Sequence, residues 1–123
     1  MPGLFDVTSA SLEVALRGAS ARQAALANNL ANVNTPGFKR SDVSFEDALQ
    51  GALSNPGRSA SSVGSITPTT VTQSDTTMRA DGNNVDADSE AASLAQTQIV
   101  FDSLMAIDSK RLRSLSSLIT SAR

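Results

Sequence analysis

The side chains that could do chemistry in this sequence are few, and their types exclude most kinds of active site. The 123 residues contain no His and no Cys, which removes the common metal ligands, the neutral-pH proton carrier and the thiol nucleophile. The two lysines, Lys39 and Lys110, lie outside any recognisable serine-hydrolase motif, and no glycine-rich phosphate loop is present. We therefore predict that the chain is not an enzyme and takes no cofactor or metal.

Acidic residues cluster in residues 81–90, which resemble a calcium-binding loop only superficially. A loop of the EF-hand type that began at Asp81 would need Gly at its sixth position and Glu at its twelfth, where this sequence has Asp86 and Ala92. A turn followed by a helix N-cap at Asp86 or Asp88 explains the same residues. The net charge of −2 argues against nucleic-acid binding. Neither a nucleic acid nor a small-molecule substrate is therefore expected.

The polar string at residues 27–39 follows a long apolar pattern that predicts an N-terminal helix. Between residues 5 and 33 there is no proline, and Gly18 is the only glycine. Residues at alternating spacings of four and three form a heptad seam with one polar member. The seam consists of Leu12, Leu16, Ala19, Gln23, Leu26, Leu30 and Val33. Thr35-Pro36-Gly37 predicts the end of this helix, because the residue before a proline avoids the α conformation.

A second helix is predicted from residue 86 to about residue 122, with acidic residues first and basic residues last, as the helix dipole favours. Its main seam continues the same spacing through Leu94, Gln98, Phe101, Met105, Asp108, Leu112, Leu115 and Ile119. A neighbouring stripe consists of Val100, Leu104, Ile107 and Leu118. Two adjacent stripes indicate a helix that contacts more than one neighbour. An apolar stripe left exposed would mark an interaction surface.

The middle of the chain is predicted to be largely irregular. Seventeen of the 27 residues at 51–77 are Ser, Thr, Gly or Pro, so this stretch should be mobile unless a partner holds it. Helical turns over 43–53 and an extended segment over 66–71 are the only regular elements expected there. The predicted fold is thus all-α, with residues 1–37, 38–85 and 86–123 as helix, flexible segment and helix of one domain. A small bundle whose third layer comes from the middle segment is the alternative.

The two long helices are expected to form a coiled-coil-like pair along their heptad seams. The N-terminal helix should contribute four leucines, and the C-terminal helix four large apolar residues. These packing residues are Leu12, Leu16, Leu26 and Leu30 on one side and Phe101, Met105, Leu112 and Leu115 on the other. The second stripe would stay exposed, which indicates a subunit that completes its core only in an assembly.

Residues 27–39 closely resemble the signature of bacterial flagellar axial proteins of the rod and hook class. They read ANNLANVNTPGFK, which fits the pattern (S/N)N(L/I)AN-x-(N/D)TPG(F/Y)(K/R). Segments 41–45 and 81–90 are similar to the proximal-rod members of that family, so the resemblance covers about 1–50 and 78–123. The assembly signature comprises Asn28, Asn29, Leu30, Asn32, Asn34, Thr35, Pro36, Gly37 and Phe38.

The resemblance implies a structural subunit of the flagellar basal-body rod, which polymerises through its terminal helices and transmits torque. Its implied partners are further copies of itself, other rod proteins, the junction protein FliE, the MS-ring and the flagellar export gate. It also implies export from the cytoplasm by the flagellar type III apparatus without a cleaved signal peptide. The alternatives are another proximal rod protein or a secreted helical-hairpin adaptor or effector, which would form a discrete dimer.

Two sets of residues receive roles as hypotheses. The amides of Asn28, Asn29 and Asn32 could bridge to neighbouring helices, or could merely end the helix. On the bridging hypothesis, Asn29→Leu leaves the helicity of the isolated chain unchanged and blocks incorporation into rods. Phe45 and Leu49 fit the pattern that exported rod subunits present to the export gate, although residues 101–105 fit it equally well.

Overall fold

The computed structural model describes residues 4–75 and 78–121, in which two long helices frame a short middle segment. Helix α1 spans Leu4–Ala31, strand β1 Ser41–Ser44, helix α2 Glu46–Ser54, helix α3 Ala60–Gly64, strand β2 Thr69–Thr72 and helix α4 Ala87–Ser121. The two long helices predicted from the sequence are confirmed. None of the helices in this described part is long and apolar enough to cross a membrane.

Helices α1 and α4 lie in contact and run antiparallel. Gln23 donates to Gln98 at 2.6 Å, and Asn29, further along α1, donates to Glu90, which is earlier in α4. Helix α4 begins where an aspartate was expected to cap it. Asp86 Oδ1 accepts hydrogen bonds from the backbone N–H groups of the third and second residues after it, at 3.3 and 3.1 Å.

The middle segment contains more regular structure than the sequence predicts, although helices and strands cover a little under half of residues 38–85. Strands β1 and β2 pair antiparallel, with Val43 opposite Thr70 and Ser41 opposite Thr72, and this sheet means that the fold is mostly helical rather than all-α. The helical turns expected over 43–53 match α2, except that residues 43 and 44 lie in β1, and the extended segment expected over 66–71 overlaps β2. The end of α2, helix α3 and strand β2 together cover a little under half of the stretch 51–77.

The middle segment is held on α1 by a few apolar side chains. Val63 of α3 is fully buried and packs with Val7 and Ala10 of α1. Ser59 and Ser62 cap α3 reciprocally, which satisfies the backbone donors at its start. Helix α3 therefore covers this end of α1, which agrees in part with the alternative of a third layer from the middle segment.

A second apolar stripe on α1 faces this layer and was missed in the sequence. Val7, Ala10 and Val14 recur at spacings of three and four, and all three are buried. Val14 packs with Val43 and Phe45 in a second cluster. The spacing is present in the sequence, but its valines and alanine are a weaker signal than the leucines of the heptad seam.

Large apolar side chains are exposed on α4 from its middle to its far end. These side chains are 37–73% exposed in the isolated chain, which is unusual for so many large apolar side chains on one helix. They are Ile99, Val100, Met105, Ile107, Leu112, Leu115, Leu118 and Ile119. This set, called the α4 apolar surface below, includes three of the four residues of the second stripe predicted from the sequence.

Candidate functional site

The asparagine signature does not stand apart from the rest of the chain but lies against residues 81–86. Gly37 N–H donates to the Asp81 carbonyl at 2.9 Å, and Asn84 N–H donates to the Phe38 carbonyl at 3.3 Å. Gly37 and Gly82 have φ values of 72° and 81°, in the left-handed region that favours glycine. The two segments that carried most of the family resemblance are therefore neighbours in space.

Asn83 binds the turn that follows the C-terminal end of α1. Its side chain is fully buried, and its amide nitrogen donates to the carbonyls of Asn32, Val33 and Thr35 at 2.9, 3.2 and 2.8 Å. Its side-chain oxygen accepts from Val85 N–H at 2.7 Å. These three carbonyls lie in the turn that follows the last residue of α1, so Asn83 fixes the path of the chain as it leaves the helix.

Asn29 links α1 to both the middle segment and α4. Its amide nitrogen donates to the Ser41 carbonyl at 2.8 Å and to Glu90 Oε2 at 2.9 Å, while its oxygen accepts from Ser41 N–H at 2.9 Å. Asn29 is fully buried, so these bonds are shielded from water. Both donors and the acceptor of this amide are thus used within the chain.

Glu90 is a buried charge with a matched partner. It is 1% exposed, and its second carboxylate oxygen accepts from Arg40 Nε. The Arg40 backbone N–H in turn donates to Asn84 Oδ1 at 2.7 Å. Within the described residues, every buried side-chain nitrogen and oxygen has a hydrogen-bond partner. Asn29, Arg40, Ser41 and Glu90, called the clamp below, therefore hold α1, β1 and the first turns of α4 together.

The other signature residues lie nearer the surface. Asn32 donates to the Asn28 carbonyl at 2.9 Å and to its side-chain oxygen at 3.2 Å, and accepts from Thr35 Oγ1 at 3.1 Å. These three side chains therefore bond one another at the helix end. Leu30 and Phe38 are half-buried, and Asn34, Thr35, Pro36 and Gly37 are exposed.

The bridge made by Asn29 runs to α4 of the same chain. A leucine at this position would leave one oxygen of Glu90 and the backbone N–H and carbonyl of Ser41 without hydrogen-bond partners, so Asn29→Leu should also destabilise the isolated chain. That its helicity stays unchanged remains a prediction. Sequence reasoning missed Arg40, Asn83 and Glu90 as site residues. Asn83 and Glu90 do lie in the 81–90 segment that carried part of the resemblance.

The predicted packing residues differ in burial along the helix pair. Leu26 is 1% exposed, while Leu12, Leu16, Leu30 and Phe101 are half-buried. Met105, Leu112 and Leu115 are 44%, 59% and 37% exposed. The pair is thus covered near the clamp and open toward the far end of α4.

The proposed export-gate residues lie in the folded core. Phe45 packs against the backbone of Gly18. The Arg22 guanidinium lies over the Phe45 ring, with its central carbon 5.5 Å from the ring centre. Leu49 N–H donates to the Phe45 carbonyl at 2.9 Å. Phe45 is 9% exposed, so its ring is not offered to a partner by the folded chain.

Arg22 joins α1 to the start of α2 through two carboxylates. Its Nε donates to Asp42 at 3.1 Å, and its other nitrogens donate to Glu46 and to the Val43 carbonyl. Burial by itself would raise the pKa of Glu46, but the hydrogen bond from Arg22 and nearby backbone N–H groups outweigh it, and the pKa lies below its usual value. The hydrogen bond to Glu46 raises the pKa of Arg22 in turn.

We expect Glu46→Gln to weaken the fold at neutral pH and to flatten its acid sensitivity. A carboxylate whose pKa is lower in the folded chain stabilises it above the unfolded pKa of about 4.3, and this contribution disappears as the pH falls through the lowered folded value. Urea unfolding at pH values above and below that range measures the difference. Because Glu46 is partly exposed, the effect is small. Equal acid sensitivity in both chains would contradict the assignment.

Comparison with known proteins gives consistent matches. A family model described as "Flagella basal body rod protein" matches residues 12–39. The chain is 32% identical to the flagellar basal body rod protein FlgB of Bacillus subtilis (strain 168), with 98% of each chain covered. It is 34% identical to FlgB of Borrelia hermsii over 81% of this chain and 86% of that one. The flagellar basal-body rod protein FlgG of Caulobacter vibrioides is 41% identical over 50% of this chain and 24% of its own length.

A clamped pair of long helices that bears the asparagine signature, together with these matches, defines the class of this protein. The chain belongs to the flagellar basal-body rod protein family and is a structural rod subunit. Its similarity to the proteins named FlgB extends along most or nearly all of the chain, so the resemblance to the rod proteins is confirmed, with FlgB as the member that it matches along its length. The alternative of a secreted hairpin adaptor is set aside.

Proposed function

We propose that this rod subunit lies in the proximal rod and polymerises through its terminal helices. The observation that carries the proposal is the α4 apolar surface, which the chain leaves uncovered although it buries a charge at the other end of the same helix. Apolar surface of this extent is stabilised when a neighbouring subunit covers it. Head-to-tail contacts that do not close would then produce a helical assembly.

We also propose that α1 and α4 form a coiled-coil-like pair along their heptad seams. Leu26 is buried in this pair, and an exposed hydrogen bond joins Gln23 to Gln98, a polar member of each seam. A polar pair at matching seam positions favours one register of two helices. Toward the far end, the seam residues of α4 remain available for contacts in the assembled rod.

The partners proposed for the chain are further copies of itself, other rod proteins, the junction protein FliE, the MS-ring and the export gate. Similarity to proteins named FlgB along nearly the full length supports a position in the proximal rod, where these neighbours meet. In that position the subunit would connect the MS-ring and export gate to the distal rod and transmit torque.

A charge on the far part of α4 should separate folding from assembly. We expect Leu112→Asp to abolish rod assembly and swimming while leaving the unfolding free energy of the isolated chain nearly unchanged, because Leu112 is 59% exposed there. The matched control is Ser117→Asp, which puts the same charge at an exposed position on the same helix. Leu16→Asp should also abolish assembly.

Swimming and hook–basal-body counts in a strain that carries only the variant gene measure the result. Normal motility with Leu112→Asp would overturn the proposal that the terminal helices drive polymerisation. Equal loss with Ser117→Asp would assign the effect to charge in general rather than to the apolar surface.

We propose that the chain is exported by the flagellar type III apparatus and that Phe45 and Leu49 are read at the gate before folding. Phe45 is buried in the folded chain, so recognition of its ring requires an unfolded subunit. Phe45→Ala should then reduce secretion into the medium severalfold. Phe101→Ala is the control, since residues 101–105 fit the same pattern. Unchanged secretion of Phe45→Ala, or an equal loss in the control, would overturn this role.

A further inference from the structure

The clamp holds the first turn of α4, and most of this long helix extends beyond it. Helix α4 has 35 residues, and Glu90 is the fourth of them, whereas the most exposed members of the α4 apolar surface, Leu118 and Ile119, lie near its other end. At ~1.5 Å per residue, Leu118 is roughly 42 Å from Glu90 along the helix axis. A tilt of about 10° at Glu90 therefore moves Leu118 by about 7 Å.

Such a displacement is large compared with the tolerance of helix packing. Packed helices lie about 8–10 Å apart, and their side chains interdigitate to within a fraction of that distance. Little of the chain covers the far part of α4, where Leu112 and Leu118 are 59% and 64% exposed. Its direction must therefore be set mainly by the contacts nearer its start.

Glu90 contacts two different elements with its two carboxylate oxygens. One accepts from Asn29 of α1 at 2.9 Å and the other from Arg40, immediately before β1. Two hydrogen bonds from separate elements restrain the start of the helix in both rotation and tilt. Release of either bond would leave one oxygen of a buried carboxylate without a donor, which is costly.

We propose that Glu90 is the positioning residue of this subunit. Acting through Asn29 and Arg40, it sets the direction of α4 and so places the α4 apolar surface for the neighbouring subunit. The asparagine signature contributes to assembly through the chain's own geometry rather than by contacting another subunit with Asn29. This inference rests on the proposed function, because it takes the α4 apolar surface to be a subunit contact.

Distance measurements between spin labels test the proposal. The sequence contains no Cys, so a labelled pair can be introduced without background, at Ser20 on α1 and Ser116 near the end of α4, both of which are exposed. Glu90→Ala should broaden and shift the Ser20–Ser116 distance distribution. A second pair, Ser20 and Gln96, is the control, because Gln96 lies only six residues beyond Glu90 and moves much less.

Glu90→Gln keeps the shape of the side chain and should give an intermediate distribution, and it serves as the test if Glu90→Ala unfolds. Circular dichroism establishes that both helices persist. Hook–basal bodies in a strain carrying either variant, grown at a temperature at which the chain stays folded, should be reduced severalfold. A residue that only stabilised the fold would be rescued by the lower temperature.

An unchanged Ser20–Ser116 distribution in a folded Glu90→Ala chain would overturn the proposal, as would normal rod assembly by a chain whose distribution has broadened. Failure of the proposed function gives a different result. In that case deletion of the whole gene would leave rods intact, whatever the spin labels show.

Discussion

Asn29→Leu is expected to lower the free energy of unfolding by about 2–4 kcal/mol. The substitution removes three hydrogen bonds at a fully buried position. It leaves one oxygen of the buried Glu90 carboxylate without a donor and leaves the N–H and carbonyl of Ser41 unpaired. Urea unfolding of the isolated chain, followed by far-ultraviolet circular dichroism, measures the loss.

Asn28→Leu is the matched control for this substitution. Asn28 has the same side chain one position earlier, but it is exposed. Its side-chain oxygen accepts a hydrogen bond from Asn32, its neighbour on the same helix end. Replacement of Asn28 should change the free energy of unfolding by no more than about 0.5 kcal/mol. Similar losses in the two variants would contradict the clamp, since they would show that burial and the Glu90 bond add nothing.

Gly18→Ala is expected to be the most disruptive small substitution on α1. A β-carbon at this position would overlap the Phe45 ring, which lies directly on the Gly18 backbone. Phe45 is itself held by Val14, Val43 and the Arg22 guanidinium, so it has little room to move. Overpacking of this kind costs about 1–3 kcal/mol, occasionally more, and opposes a gain of about 1 kcal/mol in helix propensity from Gly to Ala, so we expect a net loss of stability.

Gly51→Ala provides the contrast, because nothing lies within 4 Å of a β-carbon at Gly51. Gly51 lies inside α2, so the substitution should stabilise the chain by about 0.4–1 kcal/mol. Thermal unfolding of both variants shows whether each substitution lowers or raises the stability of the chain. A stabilising Gly18→Ala would mean that Phe45 does not pack on α1. Combining Gly18→Ala with Phe45→Leu should recover part of the loss if the ring is the cause.

The long helices could be predicted because their signals are local. Alternating spacings of three and four, the absence of proline and the Thr35-Pro36-Gly37 stop all act within a few turns. Helix α1 ends and helix α4 begins within a few residues of the predicted positions, and the predicted end of α4 near residue 122 lies outside the described residues. The Asp86 cap was predictable for the same reason. A heptad seam also identifies the neighbouring helix, although it does not say how far along the pair the packing continues.

The middle segment could not be predicted because its order comes from contacts distant in sequence. Val63 is the only apolar residue of α3 larger than Ala, and it orders that helix by entering a site formed by Val7 and Ala10, more than 50 positions earlier. Arg17 adds hydrogen bonds to the Gly64 and Ile66 carbonyls at 2.8 and 3.5 Å. Composition averages over such single contacts, and a Ser/Thr-rich stretch therefore looks mobile.

The sequence indicates that the signature asparagines have a specific role, but it does not show which residues Asn29 contacts in the clamp. Four asparagines in seven residues are costly in a helix and so indicate a specific role, but the partners of Asn29 are 12 and 61 residues away. Nothing local distinguishes Asn29, which is buried, from Asn28, which is exposed. The family resemblance marked both segments without showing that they meet.

The clamp and the α4 apolar surface lie at opposite ends of α4, one satisfied within the chain and the other exposed. Near Glu90 the buried polar groups are paired within the chain, which gives a defined geometry. Along the far part of α4 the apolar side chains are exposed in the isolated chain. A rigid, correctly directed helix with an uncovered stripe is what a polymerising rod subunit requires.

The most direct test is electron microscopy of cell envelopes from a strain in which this gene is deleted, with complete hook–basal bodies counted. We predict that rods and hooks are lost, that the membrane ring remains, and that the intact gene restores complete structures. Normal hook–basal bodies in the deletion strain would contradict the central claim that this chain is a structural subunit of the proximal rod.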